Sequence, residues 1–364
     1  MNASTALPSL EALDPARFET PAILKKAVAA NRQLAELKGV ASSMPNEGIL
    51  ISTLGLQEAK DSSAIENIVT THDELFREAA FPETATSPAA KEVARYREAL
   101  QVGFRTVRGT QLLTTNNILA VQATLERNRA GLRKVPGTVL RDGAGRTVYT
   151  PPSPEQLPSL MSDLEHFIND GSRFDADPLV KMALIHHQFE SIHPFYDGNG
   201  RTGRIINVLY LVKEGLLDIP VLYLSRCIVR TKSDYYLLLQ SVRDLDKWED
   251  WVLYMLTAVE LTAVESIATI RQIKAQLLEY KHGIRAKYRF YSQDLINNLF
   301  SYPYTKIEFI QHDLKVSRIT ATRYLDQLEA GGFLKKRRVG RSNYYVNEPL
   351  FRTLTGEHPP AGDT

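Results

Sequence analysis

The 364-residue chain has little of what stabilises or anchors several classes of protein. Its single cysteine, Cys227, has no partner for an internal disulfide, and no CxxC pair or Cys/His cluster offers a zinc site. The formal net charge is only +2, so any affinity for nucleic acid must come from a local patch. We find no uninterrupted apolar run of membrane-spanning length and no signal peptide at the start of the chain. These absences favour a cytoplasmic protein without a membrane partner.

The apolar residues, 43% of the chain, are enough for a large core and predict two or three domains. Most of them recur at helical spacing, and three helices are predicted to begin at Ser87-Pro88, Ser153-Pro154 and Asp177-Pro178, each a cap followed by proline. Residues 246–280 contain neither glycine nor proline, which indicates one long helix or two abutting ones. The predicted fold class is therefore mainly α.

Two segments depart from the helical pattern. Residues 1–25 carry three prolines and are predicted to form an extended arm on the surface of a domain. Residues 138–150 contain two short β-type runs on either side of Asp142-Gly143-Ala144-Gly145, and such a turn predicts a β-hairpin.

Residues 291–350 follow a different pattern, with three helices and then two strands, the element order of a winged helix-turn-helix. Its third helix, starting at Ser317, is the candidate recognition helix, and its wing is basic, with Lys335, Lys336, Arg337, Arg338 and Arg341. We predict a linker at residues 281–290, where basic residues interrupt the apolar pattern, and a disordered tail at residues 355–364. The alternatives for the wing, DNA contact or a protein-docking surface with solvated lysines, weigh about equally.

The most informative segment, from His193 to Arg204, contains the parts of a triphosphate site. Gly198 and Gly200 free the backbone to turn, so that successive N–H groups can point at one anion. A helix follows at once, and its positive N-terminus faces the same anion. Arg201 and Arg204 are three residues apart and can grip phosphate oxygens together.

Two further side chains add chemistry to this segment. Asp197 stands at the entrance to the turn, where one carboxylate together with phosphate oxygens can hold Mg²⁺. His193 is a base that titrates near neutral pH and can take a proton from an attacking hydroxyl. Taken singly, a His-Pro pair is usually a helix end, a glycine-rich turn usually faces solvent, and arginines on a helix are usually solvated. All of them at fixed spacing within twelve positions indicate a functional site.

These twelve residues resemble the signature of the Fic family, HxFx[D/E]GNGRxxR, with every specified position filled. The surroundings are similar too, with His186 to Glu190 just upstream, Tyr149 to Pro152 after the hairpin, and the pair Tyr235-Tyr236 downstream. The resemblance covers roughly residues 20–265. It implies a Fic-type helical core in which the hairpin over residues 138–150 is the flap that aligns the substrate.

The resemblance also implies a reaction, the transfer of AMP from ATP to a Tyr, Thr or Ser hydroxyl of a target protein with release of pyrophosphate. His193 would deprotonate the hydroxyl, and Asp197 would hold the Mg²⁺ that bridges the α- and β-phosphates. The residues expected to bind the nucleotide are Gly198, Asn199, Gly200, Arg201, Arg204 and Asn207. For Asn207, a nucleoside contact and a core-facing polar residue weigh about equally.

Gly200 separates two reactions within the family. A branch that transfers phosphate instead of AMP carries lysine at this position and binds the nucleotide the other way round. Gly200 therefore favours nucleotidyl transfer, although the signature does not exclude UMP as the transferred group.

A second motif lies far upstream, where Ser62 and Glu66 stand one helical turn apart in a segment bounded by the capping box Thr71-x-x-Glu74. Alone it would be an ordinary capped helix over residues 61–69. Beside the signature, Ser62, Glu66 and Asn67 resemble the family's inhibitory motif, [S/T]xxxE[G/N], in the class that carries it in an N-terminal helix. In that class the glutamate pairs with the second arginine of the signature, here Arg204, and competes with the γ-phosphate.

The predicted organisation is an N-terminal helical region (1–110) with the inhibitory helix, a Fic core (111–280) with its signature at 193–204, and the winged helix. The sequence leaves three further interactions open besides the target protein: self-modification, DNA binding at the winged helix, and homodimerisation. The alternative function is a DNA-binding transcriptional regulator in which the Fic core is a sensor. It leaves the signature unexplained.

Overall fold

The computed structural model describes residues 7–80, 87–172, 174–339 and 342–357, and it confirms a mainly α fold. The N-terminal region and the core contain the helices α1 (Pro21–Ser42), α2 (Glu47–Ile65), α3 (His72–Ala80), α4 (Pro88–Thr110), α5 (Thr115–Glu126), α6 (Leu157–Asn169), α7 (Pro178–Ile192), α8 (Asn199–Lys213), α9 (Leu224–Arg230), α10 (Lys232–Leu245) and α11 (Trp248–Lys287). The C-terminal module, residues 288–357, contains α12 (Gln293–Ser301), α13 (Ile307–Leu314), α14 (Arg318–Ala330) and α15 (Glu348–Thr355). Short 3₁₀ turns occur at Leu10–Ala12, Pro15–Phe18 and Pro154–Gln156.

Two small antiparallel sheets accompany the helices. The flap consists of β1 (Leu140–Arg141) and β2 (Thr147–Tyr149), which pair with each other as the sequence predicted. In the C-terminal module, β3 (Tyr304–Thr305), β4 (Lys335–Val339) and β5 (Ser342–Val346) form a sheet in the order β3-β5-β4. The sequence predicts the strands β4 and β5 but neither the short β3 nor α15. The tip of the wing, Gly340 and Arg341, lies outside the described residues.

The three cap-plus-proline signals all start helices. The Ser87 hydroxyl accepts a hydrogen bond from the Ala90 N–H (3.2 Å), and the Asp177 carboxylate accepts one from the Leu179 N–H (2.8 Å). After Ser153 the chain makes one 3₁₀ turn before α6 begins. These side chains satisfy donors that a helix start would otherwise leave unpaired, so the boundaries follow from local chemistry.

The two helices that flank the signature loop are buried at the centre of the core. Residues 179–192 of α7 are all buried, and so are residues 201–212 of α8. Neither helix has a solvent-facing side, so the polar residues that they carry must find partners inside the protein. The loop between α7 and α8, residues 193–198, is therefore held from both ends by the most buried part of the molecule.

The structure corrects three boundaries predicted from the sequence. The inhibitory segment is not a short helix over residues 61–69 but the last turn of the long helix α2, which Asn46 caps and which ends at Ile65. The predicted linker at residues 281–290 is helical as far as Lys287, because lysine and arginine are good helix formers. Thr355, placed in the disordered tail, is the last residue of α15, and residues 358–364 lie outside the described residues.

The helix α11 has the length and composition of a membrane span, with a mean hydropathy of 1.4 over its most apolar window. Half of that window is buried inside the protein. At one end the indole N–H of Trp251 donates to the Ala183 carbonyl in α7 (2.8 Å), and Ile270 and Ile273 are fully buried further along. Its apolar character is thus that of a core helix that other helices cover.

The C-terminal module packs directly against α2 and α3. The Tyr304 hydroxyl donates to the Asp73 carboxylate (2.5 Å), and the Phe76 ring packs edge-on against Tyr304 and Phe351 (5.7 and 5.5 Å between centroids). The side-chain amide of Gln57, in α2, donates to the Leu354 carbonyl in α15. The helix that precedes Glu66 is therefore in contact with both the core and the C-terminal module.

Candidate active site

The signature loop begins where α7 ends. His193 adopts a left-handed backbone conformation (φ 47°, ψ 60°), its N–H donates to the Phe189 carbonyl (3.0 Å), and Pro194 prevents the helix from continuing. Its carbonyl oxygen accepts from the Arg133 guanidinium (2.9 Å). This end of the helix fixes the histidine main chain and sets the direction in which the loop leaves.

The imidazole of His193 is neutral at physiological pH. Burial lowers its pKa, and the positive charges of Arg243 and Arg133 lower it further, to about 4. Its Nδ1 atom is buried and has no hydrogen-bond partner among the described residues. A neutral imidazole with an unpaired ring nitrogen can accept a proton from a substrate.

The glycine-rich turn places the start of α8 where an anion can approach it. Gly198 has a positive φ of 78° and immediately precedes Asn199, the first residue of α8. The Asn199 side chain closes the turn on itself, because its amide oxygen accepts from the Phe195 N–H and its amide nitrogen donates to the Phe195 carbonyl (both 2.9 Å). The side chain of Asn199 thus shapes the loop, and the anion-binding capacity comes from the N-terminus of α8.

The side chain of Glu66 packs against this turn and binds Arg204. The Arg204 guanidinium donates through Nη2 to Glu66 Oε1 (2.8 Å) and to the Ser62 carbonyl (2.9 Å), and through Nε to the Ser62 hydroxyl (2.8 Å). Oε1 of Glu66 also fills the space beside Gly200, where a Cβ would collide with it. The structure brings together Ser62, Glu66 and Arg204, as the resemblance implied.

Electrostatics keep this pair ionised. Partial burial by itself would raise the pKa of Glu66, but the charge and hydrogen bond of Arg204 outweigh that effect and lower it. Arg204 is only 1% exposed, whereas the Glu66 side chain is 34% exposed and follows the last residue of α2. The arginine is therefore fixed in the core, and the carboxylate is the partner that is able to leave.

Arg201 has a different environment. Its Nη1 donates to Glu92 in α4, its Nη2 donates to Glu126 at the end of α5 (2.8 Å), and its side chain is 3% exposed. The nearest oxygen of Asp197 is 3.8 Å from Nη2. Neither Glu92 nor Glu126 is predicted from the sequence as a partner of Arg201, since both lie far upstream of it and look like ordinary helix-surface glutamates.

Asp197 is the exposed carboxylate of the loop, with 78% of its side chain accessible. Its Oδ1 accepts from the Gly198 N–H (2.7 Å), and its main-chain carbonyl accepts from the Gln122 amide (3.3 Å). No group of three or more His, Cys, Asp or Glu side chains among the described residues is arranged to hold a metal ion. A single open carboxylate does suit Mg²⁺, which takes most of its ligands from phosphate and water.

Asn207 points away from the loop. It is fully buried, and its amide nitrogen lies 3.1 Å from Nδ1 of His186, whose other ring nitrogen is 2.8 Å from the Tyr235 hydroxyl. Burial lowers the pKa of His186 to about 3, so this cluster is uncharged. These contacts are those of a core-facing polar residue, and the nucleoside contact stays a prediction.

Beside the loop, a cleft of 860 Å³ separates the flap from the N-terminal arm. Tyr149 of the flap donates to the Ser191 carbonyl (3.0 Å), and the Arg243 guanidinium stacks over its ring (4.0 Å). On the opposite wall, the Pro8 carbonyl accepts from the Gln188 amide (2.8 Å). The cleft is therefore bounded by the flap, the N-terminal arm and Gln188 of α7, and Tyr149 in its wall contacts the residue two positions before His193.

Three family models match the chain, and together they cover most of it. The model of the Fic/DOC family N-terminal region matches residues 24–105, that of the Fic/DOC family itself matches residues 112–211, and that of the C-terminal domain of SoFic-like protein adenylyltransferases matches residues 277–350.

Curated relatives match shorter stretches. The protein adenylyltransferase fic-1 of Caenorhabditis elegans is 35% identical over 88 residues, which are 24% of this chain and 16% of that protein. The protein adenylyltransferase Fic of Aedes aegypti is 29% identical over 139 residues, 36% of this chain and 28% of that protein. The chain thus spans less than a third of the length of either relative.

Solved structures show the same fold. A Fic family protein from Desulfovibrio desulfuricans covers 90% of this chain and 96% of its own, with a TM-score of 0.58 and 21% identity. Fic-1 from C. elegans covers 70% and 74%, with a TM-score of 0.53 and 22% identity. Since the Fic/DOC models together extend from the helix α1 to beyond Arg204, across both the Glu66 segment and the signature loop, the chain belongs to the Fic/DOC family.

Proposed function

We propose that this protein transfers AMP from ATP to a hydroxyl side chain of a target protein and that Glu66 holds it in an inhibited state. The observation that carries the proposal is the start of α8 at Asn199, one short loop after His193, with its Arg204 bound by Glu66 and Ser62. The relatives named protein adenylyltransferases support the same class of reaction.

In this reaction the neutral imidazole of His193 takes the proton of the target hydroxyl. The hydroxyl oxygen then attacks the α-phosphorus, the bond from that phosphorus to the oxygen shared with the β-phosphate breaks, and pyrophosphate leaves. With a pKa of about 4, His193 by itself is a weak base. A bound triphosphate adds negative charge nearby, which raises the pKa of His193 and strengthens it as a base.

The phosphates are stabilised by the N-terminus of α8 and by Arg204. Fixed donors aimed at the phosphate oxygens lower the energy of the transition state, since charge accumulates there as the bond breaks. Asp197 would hold Mg²⁺, which neutralises phosphate charge. Its exposed carboxylate at the loop entrance fits that role, with the remaining ligands supplied by the nucleotide and water.

Inhibition follows from competition for Arg204. A γ-phosphate that uses this guanidinium must replace the Glu66 carboxylate, and while Glu66 stays in place it adds a negative charge beside the phosphates. Nucleotide that binds without displacing Glu66 is held away from in-line geometry, and small misplacements of reacting groups are costly in rate.

The target is proposed to reach His193 along the flap. An extended segment of the target would lie in the cleft between the flap and the N-terminal arm, against Tyr149 and Arg243. DNA is a second proposed partner, at the exposed face of α14, where Ile319 is 83% exposed beside Arg318 and Arg323. We place the reaction in the cytoplasm.

The test uses Glu66→Gly protein, a lysate and ATP labelled either at the α- or at the γ-phosphate. AMP transfer predicts that protein bands, including the enzyme itself if it is self-modified, take label from α-labelled ATP only. Label from γ-labelled ATP alone would mean phosphate transfer and would overturn the proposal. Parallel reactions with α-labelled UTP, GTP and CTP test the choice of nucleotide, and mass spectrometry of the labelled peptides identifies the acceptor as Tyr, Thr or Ser.

A further inference from the structure

The two arginines of the signature are bound by carboxylates in different ways. Arg204 has one carboxylate partner, Glu66, on a residue just beyond the end of α2. Among the described residues, Arg201 donates hydrogen bonds to two carboxylates, Glu92 on α4 and Glu126 on α5, and a third carboxylate, Asp197, lies 3.8 Å away. A shared function in phosphate binding does not by itself explain why one arginine needs two carboxylates.

The partners of Arg201 belong to the rigid frame of the core. Glu92 lies within α4 with 30% of its side chain exposed, and Glu126 ends α5 with only 13% of its side chain exposed. The carboxylate of Glu126 rests on Gly198 so closely that a Cβ there would collide with its Oε1. One turn earlier on the same helix, Gln122 donates to the Asp197 carbonyl (3.3 Å). The end of α5 thus supports both the backbone of the loop and its first arginine.

We propose that Glu126, together with Glu92, forms a permanent clamp that positions Arg201 for the nucleotide, in contrast to the removable carboxylate of Glu66 on Arg204. In the clamp, each terminal nitrogen of Arg201, Nη1 and Nη2, donates one hydrogen bond to a carboxylate. The Nε atom of Arg201 takes no part in the clamp; it is buried and has no partner among the described residues. Glu126 is accordingly a positioning residue that acts through Arg201.

Burial makes the clamp necessary. A guanidinium that is 3% exposed cannot be stabilised by water, so without a carboxylate partner it would be an uncompensated buried charge. Because the two carboxylates, Glu92 and Glu126, outweigh the single positive charge of Arg201, this part of the site is net negative. Its attraction for phosphate is therefore limited until a cation binds beside it. Arg201 is therefore held in place whether or not nucleotide is bound, and only Arg204 changes partner.

This inference rests on the proposed function, because it assigns the phosphates of ATP to the loop that the clamp supports. The experiment measures the dissociation constant of Mg·ATP by calorimetry and the rate of AMP transfer, in wild-type and Glu66→Gly protein. The test variants are Glu126→Ala, Glu126→Gln, Arg201→Ala and the double variant Glu126→Ala with Arg201→Ala. The control is Glu36→Ala, which removes the carboxylate of an exposed pair with Arg271 (2.7 Å).

We expect Glu126→Ala to weaken Mg·ATP binding by about tenfold, the factor that one lost charge-assisted contact produces. Glu126→Gln, which keeps an acceptor for Arg201, should recover most of that loss, and Glu36→Ala should have no effect. In the Arg201→Ala background, Glu126→Ala should have no further effect, because the residue through which it acts is gone. A residue with a merely structural role would weaken binding in both backgrounds.

Three results would overturn the clamp. The first is tighter Mg·ATP binding in Glu126→Ala, which would make Glu126 a second inhibitory group. The second is unchanged Mg·ATP affinity in Glu126→Ala. The third is a loss of affinity that Glu126→Ala still causes in the Arg201→Ala background. Failure of the proposed function would look different. It would appear as Glu66→Gly protein that binds no ATP or transfers no label, before any Glu126 variant is compared.

Discussion

The two arginines of the signature and the charged groups of the wing differ in how far they are removed from water. Arg201 and Arg204 are almost completely buried, and each is matched by carboxylates that come from distant helices. On the wing, Lys336 pairs with Asp326 (2.8 Å) and Lys335 with Glu348 (3.5 Å), but all four side chains remain substantially exposed. Exposed pairs contribute little, whereas a buried charge must be compensated. Substitutions should therefore have large effects in the loop and small ones in the wing.

The largest expected effect is that of His193→Ala. Removing the general base should lower AMP transfer by about 100-fold or more, measured with α-labelled ATP in the Glu66→Gly background. Mg·ATP affinity should be retained, because the phosphate contacts lie on α8. His312→Ala, at a histidine that is 89% exposed in the C-terminal module, is the control. Full transfer by His193→Ala protein would contradict the mechanism.

Release of Arg204 should have the next largest effect, and in the opposite direction. Glu66→Gly should raise AMP transfer by about tenfold or more, since it removes a charge-assisted hydrogen bond that competes with the nucleotide. Glu66→Asp should raise it less, and Ser62→Ala less again. Glu214→Gly is a matched control, because Glu214 also follows directly after a helix. An equal rise in the control would show that a glycine at a helix end, and not the freed arginine, is responsible.

The pH dependence should be weak. Because the pKa of His193 is about 4, its imidazole is already neutral throughout the physiological range. We expect kcat/KM of Glu66→Gly protein to change little between about pH 6 and about pH 8 and to fall only as the pH approaches the pKa. A histidine with the ordinary pKa of 6.5 would lose about fourfold between the same limits. A fourfold loss would show that His193 is far less perturbed than its burial implies.

The smallest expected effect on catalysis is that of the wing. Replacing Lys335 and Lys336 with alanine should leave AMP transfer unchanged, because both side chains lie in the C-terminal module and project from the wing. If the module binds DNA, the same change should reduce the slope of log affinity against log salt by about 2. Anisotropy titrations of duplex DNA at several salt concentrations measure that slope. No binding at low salt would contradict the DNA proposal and favour a protein-docking role.

Local chemistry made part of this structure predictable. Ser87 and Asp177 mark helix starts because their side chains cap the following turn, and the site residues 193–204 were recognisable because they are contiguous. The long helix α11 was predicted over residues 246–280, but its extension to Lys287 and the length of α2 were not, since glycine at 48 and 55 and the basic residues at 281–287 only weaken a helix that tertiary packing stabilises.

The partners of Arg201 could not be predicted either. Glu92 and Glu126 are 109 and 75 residues upstream of it, and their spacing fits an exposed helix face equally well. Only the rule that a buried arginine requires compensating carboxylates indicates that such partners exist, and it does not identify them. Glu66 was identified because its motif resembles a known one, not because the sequence shows what it touches.

The helix α11 has a consequence for how the molecule unfolds. Its 40 residues span about 60 Å as one continuous helix. Trp251 anchors it in the catalytic core, and near its other end the Tyr280 hydroxyl donates to the Phe333 carbonyl in the C-terminal module (2.6 Å). If either the catalytic core or the C-terminal module unfolds, apolar residues of α11 that it covers become exposed. Unfolding of one part therefore destabilises the other. Scanning calorimetry should accordingly record one heat-absorption peak for the whole chain, with a calorimetric enthalpy equal to the van't Hoff enthalpy.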